Sequence, residues 1–289
     1  MTVRDGFADL PGLRLHYRDW GGEGPPLVLL HGLASNARIW DLTAPLLAAT
    51  HRVFALDQRG HGLTDKPEDG YDFEAVSADL AAFLEAQGLP RPAIVGHSWG
   101  ANVALQFAAG NPDAVSALIM VDGGFMEISA FPEMTWERAR EMLAPPPLAG
   151  LKLDVFLAGA RNWSGLGEHW NEQVQEIVLG NFHIDEEGSI YPYLTRENHF
   201  KILRSLWEQR PSEMWASLSC PALLISCERD SGDPRSQMWA EHKSKAFALA
   251  RERMPEVRVL RMQDTIHDVP LQRPRELAEA IREFLEGGG

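Results

Sequence analysis

The order of elements read along the chain predicts an α/β fold: a mostly parallel eight-stranded sheet with helices on both faces. Two patterns carry this reading. Short apolar runs such as Leu27–Leu30, Ala93–Val95 and Ala117–Val121 are continuous rather than alternating, as in strands covered on both faces. Between them lie segments with helical spacing, among them Phe73, Val76, Leu80, Phe83 and Leu84, and strand–helix alternation is the signature of a parallel sheet.

In chain order, Leu13–Tyr17 alternates like an edge strand, and a turn-rich break at Gly21–Pro26 leads to the Leu27–Leu30 strand and the loop His31-Gly32-Leu33-Ala34-Ser35-Asn36. A helix is expected over Trp40–Leu47 and a strand over Arg52–Leu56, followed by Asp57-Gln58-Arg59-Gly60-His61-Gly62. The amphipathic helix stops at Gly88, the strand Ala93–Val95 runs into Gly96-His97-Ser98-Trp99-Gly100, and a helix over Ala101–Ala109 ends at Asn111-Pro112. After the sixth strand, Ala117–Val121, the rhythm is lost. Residues 123–215, with Pro145-Pro146-Pro147 and many aromatic side chains, are expected to form a mostly helical lid inserted into a core of 1–122 and 216–289. The core resumes with strands Ala222–Ser226 and Val257–Met262 and helices Ser236–Arg253 and Pro274–Leu285, the last with proline in its first turn.

Composition limits the function. With 27 basic and 41 acidic residues the net charge is −14, which repels nucleic acid and anionic membranes. Neither a basic-apolar leader at Met1–Leu10 nor an apolar run of membrane-spanning length is found, so the cytoplasm is the expected compartment and no membrane partner is expected. Cys220 and Cys227 have no zinc-like spacing and read as buried apolar residues, so no metal is expected.

Gly96-His97-Ser98-Trp99-Gly100 stands between a strand and a helix, the context that turns G-x-S-x-G into a nucleophile elbow. A serine hydroxyl needs a base, itself oriented by a third group. His267 follows the last strand and Asp230 follows the strand before it, giving the chain order Ser98, Asp230, His267. Asp233, Glu228 and, further off, Asp122 compete with Asp230 for the acid. Two donors are needed for an oxyanion; the backbone N–H groups of Trp99 and Leu33 are the candidates. His31, Gly32, Asn198 and His199 are candidate substrate-binding residues, although His31 also reads as a structural hydrogen bonder.

Taken together, His31-Gly32, the Asp57 to Gly62 turn, Gly96 to Gly100, Asp230, and His267 followed by Gln272-Arg273-Pro274 resemble the α/β-hydrolase superfamily, in its serine-nucleophile, esterase- or lactonase-like branch. The resemblance implies a Ser-Asp-His triad, a lid over an acyl-binding pocket and no cofactor. Haloalkane dehalogenases and many epoxide hydrolases of that superfamily resemble G-H-D-W-G at the elbow, whereas this chain carries Ser98. Proline iminopeptidases resemble G-G-S-W-G, where this chain has His97, and their acidic lids find Glu168, Glu172, Glu186 and Glu187 here, which read first as a solvated face. The expected activity is hydrolysis of small or medium uncharged esters or lactones through an acyl-enzyme, with a small-molecule ester as the partner. A carbon–carbon bond hydrolase, a peptidase or an acyltransferase on the same triad, or a ligand-binding protein without turnover, are the alternatives.

Overall fold

The structure is a computed structural model that describes residues 2–162, 165–229 and 234–287. Its strands are β1 (Arg4–Leu10), β2 (Leu13–Gly21), β3 (Pro26–Leu30), β4 (Arg52–Leu56), β5 (Ala93–His97), β6 (Ala117–Val121), β7 (Leu151–Lys152), β8 (Phe182–Ile184), β9 (Ser189–Pro192), β10 (Ala222–Glu228) and β11 (Val257–Gln263). Eight of them form one sheet in the order β1-β2-β4-β3-β5-β6-β10-β11. β2 pairs antiparallel with β1 and with β4, and the other neighbours are parallel.

The continuous apolar runs are explained by the two faces. Val28, Leu30, Ile94, Leu118 and Met120 enter one buried cluster, while Leu27, Leu29, Val95, Ile119 and Val121 enter another. Successive side chains point to opposite faces, so a strand buried on both must be apolar at every position. The helices are α1 (Ala44–Leu47), α2 (Phe73–Ala86), α3 (Trp99–Gly110), α4 (Trp136–Met142), α5 (Leu153–Ala160), α6 (Glu172–Leu179), α7 (Arg196–Glu208), α8 (Pro211–Met214), α9 (Pro234–Arg253), α10 (Val269–Gln272) and α11 (Pro274–Glu286). α2 packs Phe73, Val76, Leu80, Phe83 and Leu84 into the first cluster, and α11 packs Leu277, Ala278, Ile281 and Phe284 into the second.

Two elements differ from the sequence expectation. β1 was not foreseen: its Arg4-Asp5-Gly6-Phe7 half is largely exposed, and it is held by pairing with β2 from Arg4↔Asp19 to Leu10↔Leu13. The helix expected over Trp40–Leu47 is a 3-10 turn, Ala37–Trp40, capped by Asn36, followed by the short α1 with Pro45 in its first turn. Proline lacks the N–H that a continuous helix would need there. The segment between β6 and β10 holds α4 to α8 and, beside them, a three-stranded antiparallel sheet, β7-β9-β8.

That inserted segment leaves and rejoins the core at one side chain. Asn102 of α3 accepts from Gly124 N–H through Oδ1 at 3.1 Å and donates through Nδ2 to Gln209 Oε1 at 2.7 Å. Because β6 and β10 are hydrogen-bonded neighbours, the insertion rises from the carboxyl end of the sheet.

Candidate active site

Ser98 joins β5 to α3 with φ 53° and ψ −122°, a backbone conformation that a non-glycine residue adopts only when its surroundings enforce it. The surroundings here are tight. Cβ atoms at Gly96, Gly100 or Gly123 would collide with the Gly100 backbone, the Leu30 and His31 carbonyls, and the Ser98 carbonyl respectively. Ser98 N–H is also tied to Val121 O at 2.9 Å. Trp99 opens α3, so its N–H has no acceptor within the helix and is free for an oxyanion.

His267, in the loop after β11, places Nδ1 2.7 Å from Oδ2 of Asp122. An ionised carboxylate only accepts, so Nδ1 carries the proton and Nε2 is the basic nitrogen; among the described residues Nε2 has no partner. Asp122 is the residue directly after β6, in the left-handed region at φ 46°, where aspartate is tolerated better than most side chains. Its Oδ1 accepts from Lys243 Nζ at 2.6 Å and from Cys227 N–H at 3.1 Å. The expected acid Asp230, like Asp233, lies outside the described residues; the carboxylate described on the imidazole is that of Asp122, the more distant competitor in the sequence. The physical reason is position: Asp122 N–H bonds to Ile225 O, which sets the end of β6 beside the end of β10.

Burial alone would push the Asp122 carboxyl up, but the bond to His267 and the charges of His267 and Lys243 outweigh it and hold it far below the usual carboxylate range. For His267 the balance runs the other way. Enclosure disfavours the imidazolium, yet the bond to Asp122 and its charge prevail, and the pKa is raised above the ordinary histidine value. The His267 side chain is 51% exposed, which weakens the desolvation penalty and supports the upward direction.

His97, the residue before the serine, donates Nε2–H to the His267 carbonyl at 2.8 Å and so braces the histidine loop. Burial first, then the neighbouring His267, push its pKa down to about 4, so it is a neutral brace. The loop after β3 is braced by two further neutral histidines. His31 donates Nδ1–H to Gly32 O at 2.7 Å and accepts Gln58 N–H at 3.0 Å. His61 stacks on Trp99 with centroids 5.1 Å apart and accepts Ala34 N–H at 3.3 Å. Burial lowers the pKa of both. With Ala34 N–H taken by His61, the N–H of Leu33 has no acceptor among the described residues.

Ser98, Trp99, Leu33, Asp122 and His267 line one cavity of about 420 Å³. Of the expected substrate-binding residues, His199 lines it as well. His31 does not, because both ring nitrogens are committed inside the protein. Asn198 does not either, since its Nδ2 donates to Tyr71 OH at 2.7 Å and the residue is buried. Gly32 packs under the serine, where a Cβ would lie 3.0 Å from Ser98 Cβ. Glu168, Glu172, Glu186 and Glu187 are all exposed. Sequence reading missed Lys243 and Trp239, which also line the cavity. A signal existed: Trp239, Lys243 and Phe247 recur every fourth residue on one face of α9, and Phe247 is fully buried, so a lysine on that stripe requires a partner. No group of residues able to hold a metal ion occurs among the described residues, and no helix there is long and apolar enough to cross a membrane.

The profile of the alpha/beta hydrolase family matches residues 27–280. The chain belongs to the α/β hydrolase family. It is 37% identical over 115 residues to the soluble epoxide hydrolase of a Corynebacterium species, covering 40% of each chain. It is 36% identical over 121 residues to N-formylmaleamate deformylase of Pseudomonas putida, covering 42% of this chain and 45% of that one. These matched segments thus span less than half of the curated relatives' lengths. The crystal structure of E-2-(acetamidomethylene)succinate hydrolase superposes with a TM-score of 0.75 at 21% identity, covering 99% of this chain and 100% of the other. That likeness extends the common fold of the α/β hydrolases over the insertion as well as the core.

Proposed function

We propose that this α/β hydrolase cleaves small or medium uncharged carboxylic esters or lactones through an acyl-enzyme on Ser98. The observation that carries the reading is the His267–Asp122 pair lining the same cavity as the strained Ser98. Ser98 Oγ attacks the carbonyl as His267 Nε2 takes its proton. Asp122 orients the ring and stabilises the imidazolium, and the N–H groups of Leu33 and Trp99 hold the oxyanion. His267 returns the proton to the leaving alcohol, and water then releases the acid with His267 as base. A serine hydroxyl in place of a carboxylate at the elbow supports attack on carbonyl carbon and argues against the epoxide chemistry for which one relative is named.

Apolar side chains make up most of the lining described, including Met126, Ile128, Leu143, Leu203 and Trp239, and its ionic groups Asp122 and Lys243 are paired with each other. Both facts favour an uncharged substrate of modest size. Residues 123–215, which supply Met126, Ile128, Leu143, His199, Leu203 and Leu206 to that lining, act as the lid. A second reading, cleavage of an N-acyl amide by the same groups, is favoured by the deformylase relative. The test is a panel of p-nitrophenyl acetate to octanoate, lactones and N-formyl amides, read with Ser98→Ala alongside. Ester or lactone turnover that falls at least about a thousandfold in Ser98→Ala is expected. Turnover surviving that substitution, or a wild-type enzyme that neither hydrolyses these esters nor reacts with a fluorophosphonate, overturns the reading.

A further inference from the structure

Lys243 is a charged cavity-lining residue to which the hydrolytic scheme gives no part. It stands on α9, with its side chain only 15% exposed, and its Nζ donates to two acceptors at once: Asp122 Oδ1 at 2.6 Å and the Cys227 carbonyl at 2.7 Å. The same Oδ1 receives Cys227 N–H. One carboxylate oxygen is thereby saturated, and only Oδ2 is left to face His267. The ammonium also lies one carboxylate away from the imidazole, so it opposes the positive charge that His267 must acquire during catalysis.

We propose that Lys243 is a positioning residue for the triad, fixing Asp122 with Oδ2 toward His267 and moderating the pull of that carboxylate on the imidazole proton. This rests on the reading of Ser98, His267 and Asp122 given above. Among the described residues, the other charged or titratable groups acting on His267 are His97 and Asp268, with the Cys227 thiol next to Asp122. His97 is neutral and buried, Asp268 draws the imidazole pKa upward, and Lys243 draws it down. Among the described residues, the Asp122 carboxylate in its αL turn is held on Oδ1 by Cys227 N–H and by Lys243, and the lysine's second bond to the Cys227 carbonyl ties it to the β10 backbone. Arginine, with a charge but a different fork, keeps the electrostatic part and alters the geometric part.

The experiment is the pH dependence of fluorophosphonate labelling at Ser98 in the wild type, Lys243→Gln and Lys243→Arg, with thermal melting in parallel. Glutamine keeps a donor for Asp122 and removes the charge. The midpoint of its acid limb is expected to rise by about one pH unit, a shift in the range one nearby charge produces; the limb of Lys243→Arg should stay with the wild type. A Lys243→Gln protein that labels more slowly with an unmoved limb reduces Lys243 to a strut and overturns the proposal. Lys243→Met is the second neutral variant if glutamine does not fold. Absence of wild-type labelling would instead refute the triad. A nitrogen-15 NMR titration of His267 in Ser98→Ala, with and without Lys243→Gln, then decides the Lys243 question alone: the same upward shift sustains it and an unchanged midpoint ends it.

Discussion

Among the described residues, two histidines set Nδ1 against an aspartate oxygen at nearly the same distance, and they differ in what the far side of the ring meets. His16 Nδ1 lies 2.8 Å from Asp57 Oδ2, with both side chains 4% exposed. His267 Nδ1 lies 2.7 Å from Asp122 Oδ2, with the histidine half open. In the first pair the distal nitrogen is closed off by Asp5 at 3.2 Å, while Asp57 holds the N–H groups of Ala37 and Leu63 and ties β2 to the loops after β3 and β4. In the second pair the histidine lines a cavity that Ser98 shares, and its distal nitrogen has no partner among the described residues. A carboxylate behind an imidazole is thus an architectural clamp or part of a base according to one free lone pair. What the distal nitrogen meets, and not the distance to the carboxylate, separates the two.

That contrast can be broken from either end. The largest effect is expected at the open pair: Asp122→Asn should lower kcat on an ester substrate by about 10³- to 10⁴-fold by releasing the wrong tautomer, with Asp230→Asn near wild type; steady-state kinetics on both variants checks this, and the reverse ranking would return the acid to Asp230. At the closed pair, Asp57→Asn should cost about 2–4 kcal/mol of stability, since it disrupts a buried network, yet leave kcat per folded molecule within a few-fold; chemical denaturation and active-site titration separate the two quantities. The smaller effects concern pH. Because the proposed scheme needs His267 unprotonated and its pKa is raised, kcat/KM should rise with pH along a limb whose midpoint lies above 6.5, and a midpoint below that value would contradict the Asp122 contact. His31, His61 and His97 titrate below their unfolded value near 6.5, His97 at about 4. The unfolded chain therefore binds more protons in that window, and the melting temperature should decline as pH falls from about 6.5 toward 4.

Much of the frame was legible because burial on both faces leaves a strong imprint: Leu27–Leu30, Ala93–Val95 and Ala117–Val121 are apolar at every position and become β3, β5 and β6. The elbow was legible for a different reason, since its glycines are demanded by backbone contacts within a few residues. β1 was not, because an edge strand held by one neighbour needs no apolar pattern. Asp122 was weighed only as a distant competitor. An aspartate after an apolar strand looks alike whether it caps a turn or meets a histidine 145 residues later, and local spacing cannot distinguish the two. Lys243 escaped since a single lysine in a charged helix resembles its solvated neighbours until the register with Trp239 and Phe247 is drawn.

The double hold of Asn102 on Gly124 and Gln209 has a practical meaning for protein engineering. It marks natural seams for exchanging the whole inserted module with that of a cousin enzyme. Joints placed just downstream of Gly124 and just upstream of Gln209 would leave Asp122, Gly123 and their support of the serine untouched, so a chimera could inherit new substrate preferences while keeping its reaction centre.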